Sequence, residues 1–359
     1  MTLERLQRIR ARLSEEGLDW LLVSGPENRR YLSGFTGSSG YLLISQEEAL
    51  LATDFRYFQQ VQEQAPDYTL ARMQGGTVES LACILQQHVA EGARLGFEAE
   101  HLTVALYEKL RGDVATAEWV PTQGLVERLR AVKEPEELQA IRRAVALADE
   151  VLEAVLPTLK PGMTEKEVAW RLESAMRERG AEKVSFDLIV ASGPNGAKPH
   201  AVPSDRPLGR GEPIVIDMGC VVDGYCSDLT RTVVLGEPDG RFRDLYDLVL
   251  RAQRAAEEGL RPGMTGREAD ALARQVIDEA GYREEFGHSL GHGVGLEVHE
   301  LPRLSALAEE PLQEGMVFTV EPGVYIPGWG GIRIEDMAVL REDGVEVLTA
   351  CTKDPVVLV

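Results

Sequence analysis

The chain lacks any apolar run of about 18 residues, so no membrane-spanning helix is expected. Its first residues, Met1-Thr2-Leu3-Glu4-Arg5, open an amphipathic pattern and have none of the apolar core of a signal peptide. Cysteine is scarce. Cys83, Cys220, Cys226 and Cys351 show no C-x-x-C spacing, which argues against a cysteine zinc site and for a reduced, cytoplasmic protein. Positive charge is short as well. Thirty-eight Lys and Arg against 59 Asp and Glu give a net charge of −21, which disfavours nucleic acid as a partner. The glycine-rich loop at 34–40 has neither the GK[ST] of a P-loop nor a G-x-G-x-x-G, so phosphate binding is not expected there.

At 359 residues the chain exceeds the usual size of one core, and two domains are expected. Helical spacing at 3–16, 55–64, 78–90 and 104–111 alternates with short apolar runs at 18–23 and 41–44 and near 50, 70, 95 and 119. That alternation predicts an α/β domain over 1–125. His88 and His101 read there as surface or packing histidines. Residues 126–136 form a charged, proline-bearing linker. A second domain, 137–359, opens with a long helix from about 135 to 156, and it contains an internal repeat. Leu159-Lys160-Pro161-Gly162-Met163-Thr164 returns as Leu260-Arg261-Pro262-Gly263-Met264-Thr265. Each threonine is placed to cap a helix, with Glu167 or Glu268 at its third position. Further on, 211–219 parallels 315–323, which aligns Asp217 with Glu321 and brings Asp228 into register with Glu335. Each half runs helix, helix, strand with acid, strand with acid. The fold class is therefore α+β with pseudo-twofold symmetry, and four acids meet at the axis.

The first half's hairpin can be registered from its turn. Asp223-Gly224 is a strong two-residue signal. It sets Val222 opposite Tyr225, Gly219 opposite Asp228 and Asp217 opposite Thr230. Asp217 and Asp228 are then diagonal neighbours roughly 7–8 Å apart, and Cys220 and Cys226 fall on opposite faces. Alone, the hairpin fits either a metal site or two solvated carboxylates. The segment 286–299 adds three of the six histidines, His288, His292 and His299, among four glycines. Four acids and one imidazole exceed what one cation needs. They suit two divalent ions roughly 3.5–4 Å apart with a water between them. Manganese or cobalt fits such a donor set first, with zinc or iron as alternatives.

The hairpin, G-H-S-L-G-H-G-V-G-L-E-V-H-E, V-E-P-G and I-R-I-E-D together resemble the pita-bread metallopeptidases, the superfamily of methionine aminopeptidase, aminopeptidase P and prolidase, and the match covers about 133–359. R-Y-L-S-G-F-T-G at 30–37 and T-D-F-R-Y at 53–57 are similar to the N-terminal domain of the prolidase, aminopeptidase P and creatinase branch, which methionine aminopeptidases generally lack. The resemblance implies that Asp217, Asp228, His292, Glu321 and Glu335 ligate metal, with Asp228 and Glu335 bridging. It implies Glu321 as general base, His200 near the leaving amide, His299 at the scissile carbonyl and His288 on the proline side of the pocket. Arg333, two residues before Glu335, is expected on the same strand. It either orients a carboxylate and completes the proline wall or makes a structural ion pair. The implied activity is hydrolysis of Xaa-Pro bonds by an Xaa-Pro dipeptidase, with aminopeptidase P action on longer peptides as the alternative. A creatinase-like hydrolase and a non-catalytic binding module are the remaining readings. A proline-containing peptide is the expected partner, and family analogy implies a homodimer.

Overall fold

The computed structural model describes residues 2–357. Met1 and residues 358–359, including the end of the catalytic domain expected over 137–359, lie outside the described residues. The chain forms two compact units that divide between Arg130 and Ala131.

The first unit is a six-stranded mixed sheet ordered Thr69–Arg72, Ala49–Thr53, Tyr41–Ser45, Trp20–Val23, Arg94–Glu98, Glu118–Thr122. Helices Thr2–Glu15, Pro26–Ser33, Thr77–His88 and Val104–Asp113 accompany it. Leu21, Leu22, Leu43 and Leu95 are fully or almost fully buried, as short apolar runs in a covered sheet should be. The pattern at 55–64 splits in two. Asp54 caps a 3-10 turn, Phe55–Tyr57, and the helix proper is Phe58–Gln64. The glycine loop at 34–40 turns carbonyls, not amides, toward a charge. Arg29 donates Nη1 to Gly40 O (2.7 Å) and Nη2 to Gly37 O (2.8 Å). That polarity suits a guanidinium and opposes a phosphate.

The stretch expected as a linker, 126–136, is structured. It holds the helix Glu127–Ala131, Val132 bridges to Met316, and Lys133 Nζ meets Glu300 at 2.6 Å. From there the second unit repeats itself. Pro135–Val155 and Glu165–Glu178 precede the strands Ile189–Ser192, Pro213–Met218 and Leu229–Leu235. Gly240–Gly259 and Gly266–Glu279 precede Gly291–Gly293, Glu300–Leu304, Val317–Val320 and Asp336–Arg341. Both capping boxes form, Thr164 with Glu167 and Thr265 with Glu268. In the first half Val168, Leu172 and Met176 pack on Ile214, Ile216 and Val233. In the second, Ala269, Ala273 and Ile277 pack on Phe318, Val320 and Ala338. The helical i, i+4, i+8 stripe supplies one layer of each core and the inward strand residues the other.

The hairpin takes the register its turn requires. Val222 pairs with Tyr225, Met218 with Leu229 and Asp217 with Thr230. Asp223 and Gly224 both have positive φ, 51° and 80°, the type I′ geometry that matches strand twist. Cys220 and Cys226 are free thiols. The two halves meet through Glu335, whose N–H donates to Thr230 O, and through Arg333, whose N–H donates to Thr232 Oγ1.

Candidate metal centre

The acids sit where the two hairpins are interrupted. Asp217 lies on the face of Pro213–Met218 opposite Ile214 and Ile216, and Asp228 lies in the break between Tyr225–Cys226 and Leu229–Leu235. Gly219 faces that break. A Cβ there would fall 2.0 Å from Ser227 O, so only glycine lets the strands close. In the second half Val320 pairs with Asp336 and Gly323 with Arg333. One register thus runs through both pairs, and it sets Glu321 opposite Glu335 across a short gap. This corrects one expectation: Arg333 and Glu335 do not share a strand. Arg333 ends Gly330–Arg333, and Glu335 lies in the gap before Asp336–Arg341. The chain leaves the ladder there because the amide of Glu335 bonds to Thr230 of the other half instead.

His292 is held between two close neighbours. A Cβ on Gly291 would lie 2.0 Å from Thr319 O, and one on Gly293 2.0 Å from Leu301 O. The His292 N–H donates to Thr319 Oγ1, and Nδ1 lies 3.2 Å from Gly293 O. Nε2 is left facing the acids, 3.3 Å from Glu321 Oε1 and 3.6 Å from Asp228 Oδ2. Ligand atoms of Asp228, His292 and Glu335 all lie within 4.8 Å of one another. Asp217 is engaged differently. Its Oδ2 accepts from Arg333 Nη2 at 2.6 Å, while its Oδ1 is buried with no hydrogen-bond partner.

A cleft of about 570 Å³ is lined by all nine residues singled out from the sequence: His200, Asp217, Asp228, His288, His292, His299, Glu321, Arg333 and Glu335. Its electrostatics favour cations. Burial, then Glu335 and the other acids, pushes the Asp228 carboxyl well above the usual range. Burial, then Glu321 and Asp217, does the same to Glu335. Burial also raises Asp217, against the opposing pull of Arg333. Glu321 goes the other way. Burial would raise it, but the hydrogen bond and charge of His292 outweigh that and bring it to about 2. Three carboxyls that resist ionising, Asp217, Asp228 and Glu335, with an unpartnered oxygen at Asp217, fit divalent cations as their missing partners.

Tyr325, which the sequence reading missed, organises the other wall. Its hydroxyl accepts from Arg333 Nη1 (2.7 Å) and lies 2.9 Å from His288 Nε2. His288 Nδ1 is 2.8 Å from Ser289 O, so it carries the proton and Nε2 accepts from Tyr325. Burial lowers the His288 pKa and raises that of Tyr325 to about 12. Two threonines were also missed. Thr230 Oγ1 donates to Glu335 Oε2 at 2.6 Å, and Thr319 Oγ1 to Glu321 Oε1 at 3.1 Å. Strand alternation carries a signal for all three: Thr319 and Tyr325 flank Glu321 at even spacing, and Thr230 faces Asp217. Arg333 pairs with Asp217 and also lines the cleft. His299 has one open side, and its ring centroid lies 4.2 Å from that of His292. Partial burial, then the His292 charge, pushes its pKa to about 4. His200 stands exposed on the wall formed by 199–203.

Among the described residues no helix is long and apolar enough to cross a membrane. Residues 139–342 match the model of metallopeptidase family M24, and residues 5–132 match the creatinase/prolidase N-terminal domain. A solved Xaa-Pro dipeptidase from Bacillus anthracis is 42% identical, with 100% of both chains covered and a TM-score of 0.96. The Xaa-Pro dipeptidase of Pyrococcus furiosus is 38% identical over 98% of this chain and 99% of its own. A solved X-Pro aminopeptidase from Thermotoga maritima is 38% identical, covers 97% of this chain and 100% of that one, and has a TM-score of 0.89. The architecture is a creatinase-type N-terminal domain followed along the chain by the pita-bread fold, and the family implies a divalent metal. On its paired hairpins, its acid cluster and these matches, the chain belongs to metallopeptidase family M24.

Proposed function

We propose that the chain is an Xaa-Pro dipeptidase, hydrolysing the bond before proline in dipeptides or short peptides. One observation carries the reading: four carboxylates and an imidazole converge on a cleft that His200, His288 and Arg333 also line, with Tyr325 bonded to Arg333. Asp217, Asp228, His292, Glu321 and Glu335 would hold two divalent ions, manganese or cobalt. Such a pair supplies Lewis acidity and an activated water. Glu321, a carboxylate lining the cleft, takes a proton from the attacking water and delivers it to the departing proline nitrogen. His299, neutral at pH 7, offers an uncharged N–H to the developing oxyanion. His200 contacts the leaving amide, and His288, its pKa lowered by burial, walls the proline ring. Proline's nitrogen carries no N–H before cleavage and its shape is fixed, so a rigid wall suits it.

The likeness to the Thermotoga maritima X-Pro aminopeptidase favours a second reading, action on longer peptides. Turnover of Xaa-Pro against Xaa-Pro-Yaa-Yaa with added Mn²⁺ or Co²⁺ separates the two. Equal or faster cleavage of the longer peptide overturns the dipeptidase assignment. We further propose a cytoplasmic homodimer, checked by sedimentation velocity and fractionation, and a functional division into 1–125 and 137–359.

A further inference from the structure

The geometry points to Glu165 as a positioning residue for His200, holding the loop that presents this histidine to the cleft. The inference rests on the peptidase reading above. Glu165 is the first residue of the helix Glu165–Glu178, and it is fully buried. Its carboxylate accepts five hydrogen bonds. Oε1 takes the N–H and hydroxyl of Ser192 at 2.7 and 3.0 Å. Oε2 takes Asn195 Nδ2 at 2.9 Å and the N–H and hydroxyl of Ser204 at 2.9 and 2.6 Å. All five donors belong to the two ends of one segment, 192–204. The middle of that segment, 199–203, is the cleft wall that carries His200.

The internal repeat separates this role from a need of the fold. In the first half, the helix start also binds the following chain through four backbone bonds: Gly162 N to Leu208 O, Glu165 N to Arg206 O, Lys166 N to Ser204 O and Leu208 N to Met163 O. The second half makes the same four bonds, Gly263 N to Leu312 O, Gly266 N to Glu310 O, Arg267 N to Ala308 O and Leu312 N to Met264 O. The isolated bridges correspond too, Thr164 with Pro207 and Thr265 with Pro311. Yet the position of Glu165 is held by Gly266, where a Cβ would lie 2.0 Å from Arg303 O. The scaffold therefore forms without a carboxylate. Only the half that presents His200 has one, and each of its bonds goes to the His200 segment. A buried carboxylate is costly unless every lone pair is used, and here five charge-assisted bonds use them.

Glu165→Gln replaces one acceptor oxygen by an NH₂ group facing donors, at nearly constant volume. In the metal-loaded chain kcat/KM for an Xaa-Pro dipeptide should fall about 10- to 100-fold, the effect of misplacing a reacting group by about 1 Å. Metal content should stay at the wild-type value. In a His200→Asn background the same change should cost less than about twofold, because the loop then has nothing left to position. Amide exchange across 193–204 should accelerate by at least about tenfold, with the sheet strands unaffected. Losses that multiply in the double variant, or unchanged exchange at 193–204, overturn the proposal. If Glu165→Gln does not fold, Asn195→Ala and Ser204→Ala each delete a donor and carry the same expected non-additivity with His200→Asn. A wild-type chain inactive on every Xaa-Pro peptide refutes the peptidase reading instead, and the exchange measurement still decides whether Glu165 anchors the loop.

Discussion

Asp228→Asn should stabilise the metal-free protein and destroy its response to metal. Asp228 is buried among Asp217, Glu321 and Glu335, and burial with those charges raises its pKa well above the usual range. The sign follows from linkage. A carboxyl with a raised folded-state pKa binds more protons folded than unfolded, so stability is full below the unfolded pKa and falls as pH rises above it. The Coulomb energy sets the scale: the ligand atoms of Asp228 and Glu335 lie within 4.8 Å of each other, which gives about 3.5 kcal/mol of repulsion when both are ionised, at an effective dielectric constant of about 20. Asparagine is nearly isosteric and removes that cost. In EDTA at pH 7 the variant should melt about 2–8 °C above wild type, taking about 1–2 kcal/mol realised after relaxation and about 2–4 °C per kcal/mol for a unit of this size. With Mn²⁺ at about 100 times its Kd the wild type should gain about 2.7 kcal/mol, and the variant far less. Calorimetry with and without EDTA, together with metal analysis, reads all of this. A variant that melts lower than wild type without metal, or that keeps both metals and full activity, refutes the assignment of Asp228.

Tyr325→Phe removes the hydroxyl that joins Arg333 to His288. It should lower kcat/KM about 10- to 100-fold, equivalent to about 1–3 kcal/mol for buried groups left unpaired, without changing metal content; steady-state kinetics and metal analysis check this. His299→Gln should lower kcat/KM but leave the acid limb between pH 5.5 and 7 where it is. His299, with a pKa of about 4, is already neutral there, and a pH–rate profile that shifts would count against that. Gly291→Ala forces a Cβ to 2.0 Å from Thr319 O; strand separation should cost about 1–3 kcal/mol and weaken metal binding through His292, measured by denaturant titration. Arg231→Met breaks a fully buried pair with Asp336 and should cost about 3–5 kcal/mol by the same titration.

Much of this protein can be read along the chain because several of its signals are local. The Asp223-Gly224 turn determines the register of its hairpin, since both residues accept positive φ and the side-chain period of a strand is two. The repeat of capping boxes and acids makes the pseudo-twofold visible, because each half must bury its own helix stripe against its own strands. The four acids could therefore be singled out from the repeat and His288, His292 and His299 from their glycine-rich segment, while His200 stood out only through the family resemblance. Other features depend on segments far apart in sequence. Arg333 leaves the strand of Glu335 because Thr230, from the other half, takes the Glu335 amide. Tyr325 matters because folding places it between Arg333 and His288, and Glu165 because its helix start lands against both ends of the His200 loop. Turn chemistry and periodicity act within windows of a few residues, so the sequence by itself determined the elements, their register and the acid cluster. Which side chain satisfies which buried charge is settled only when distant backbones pack within hydrogen-bond reach, and that was decided by the tertiary structure.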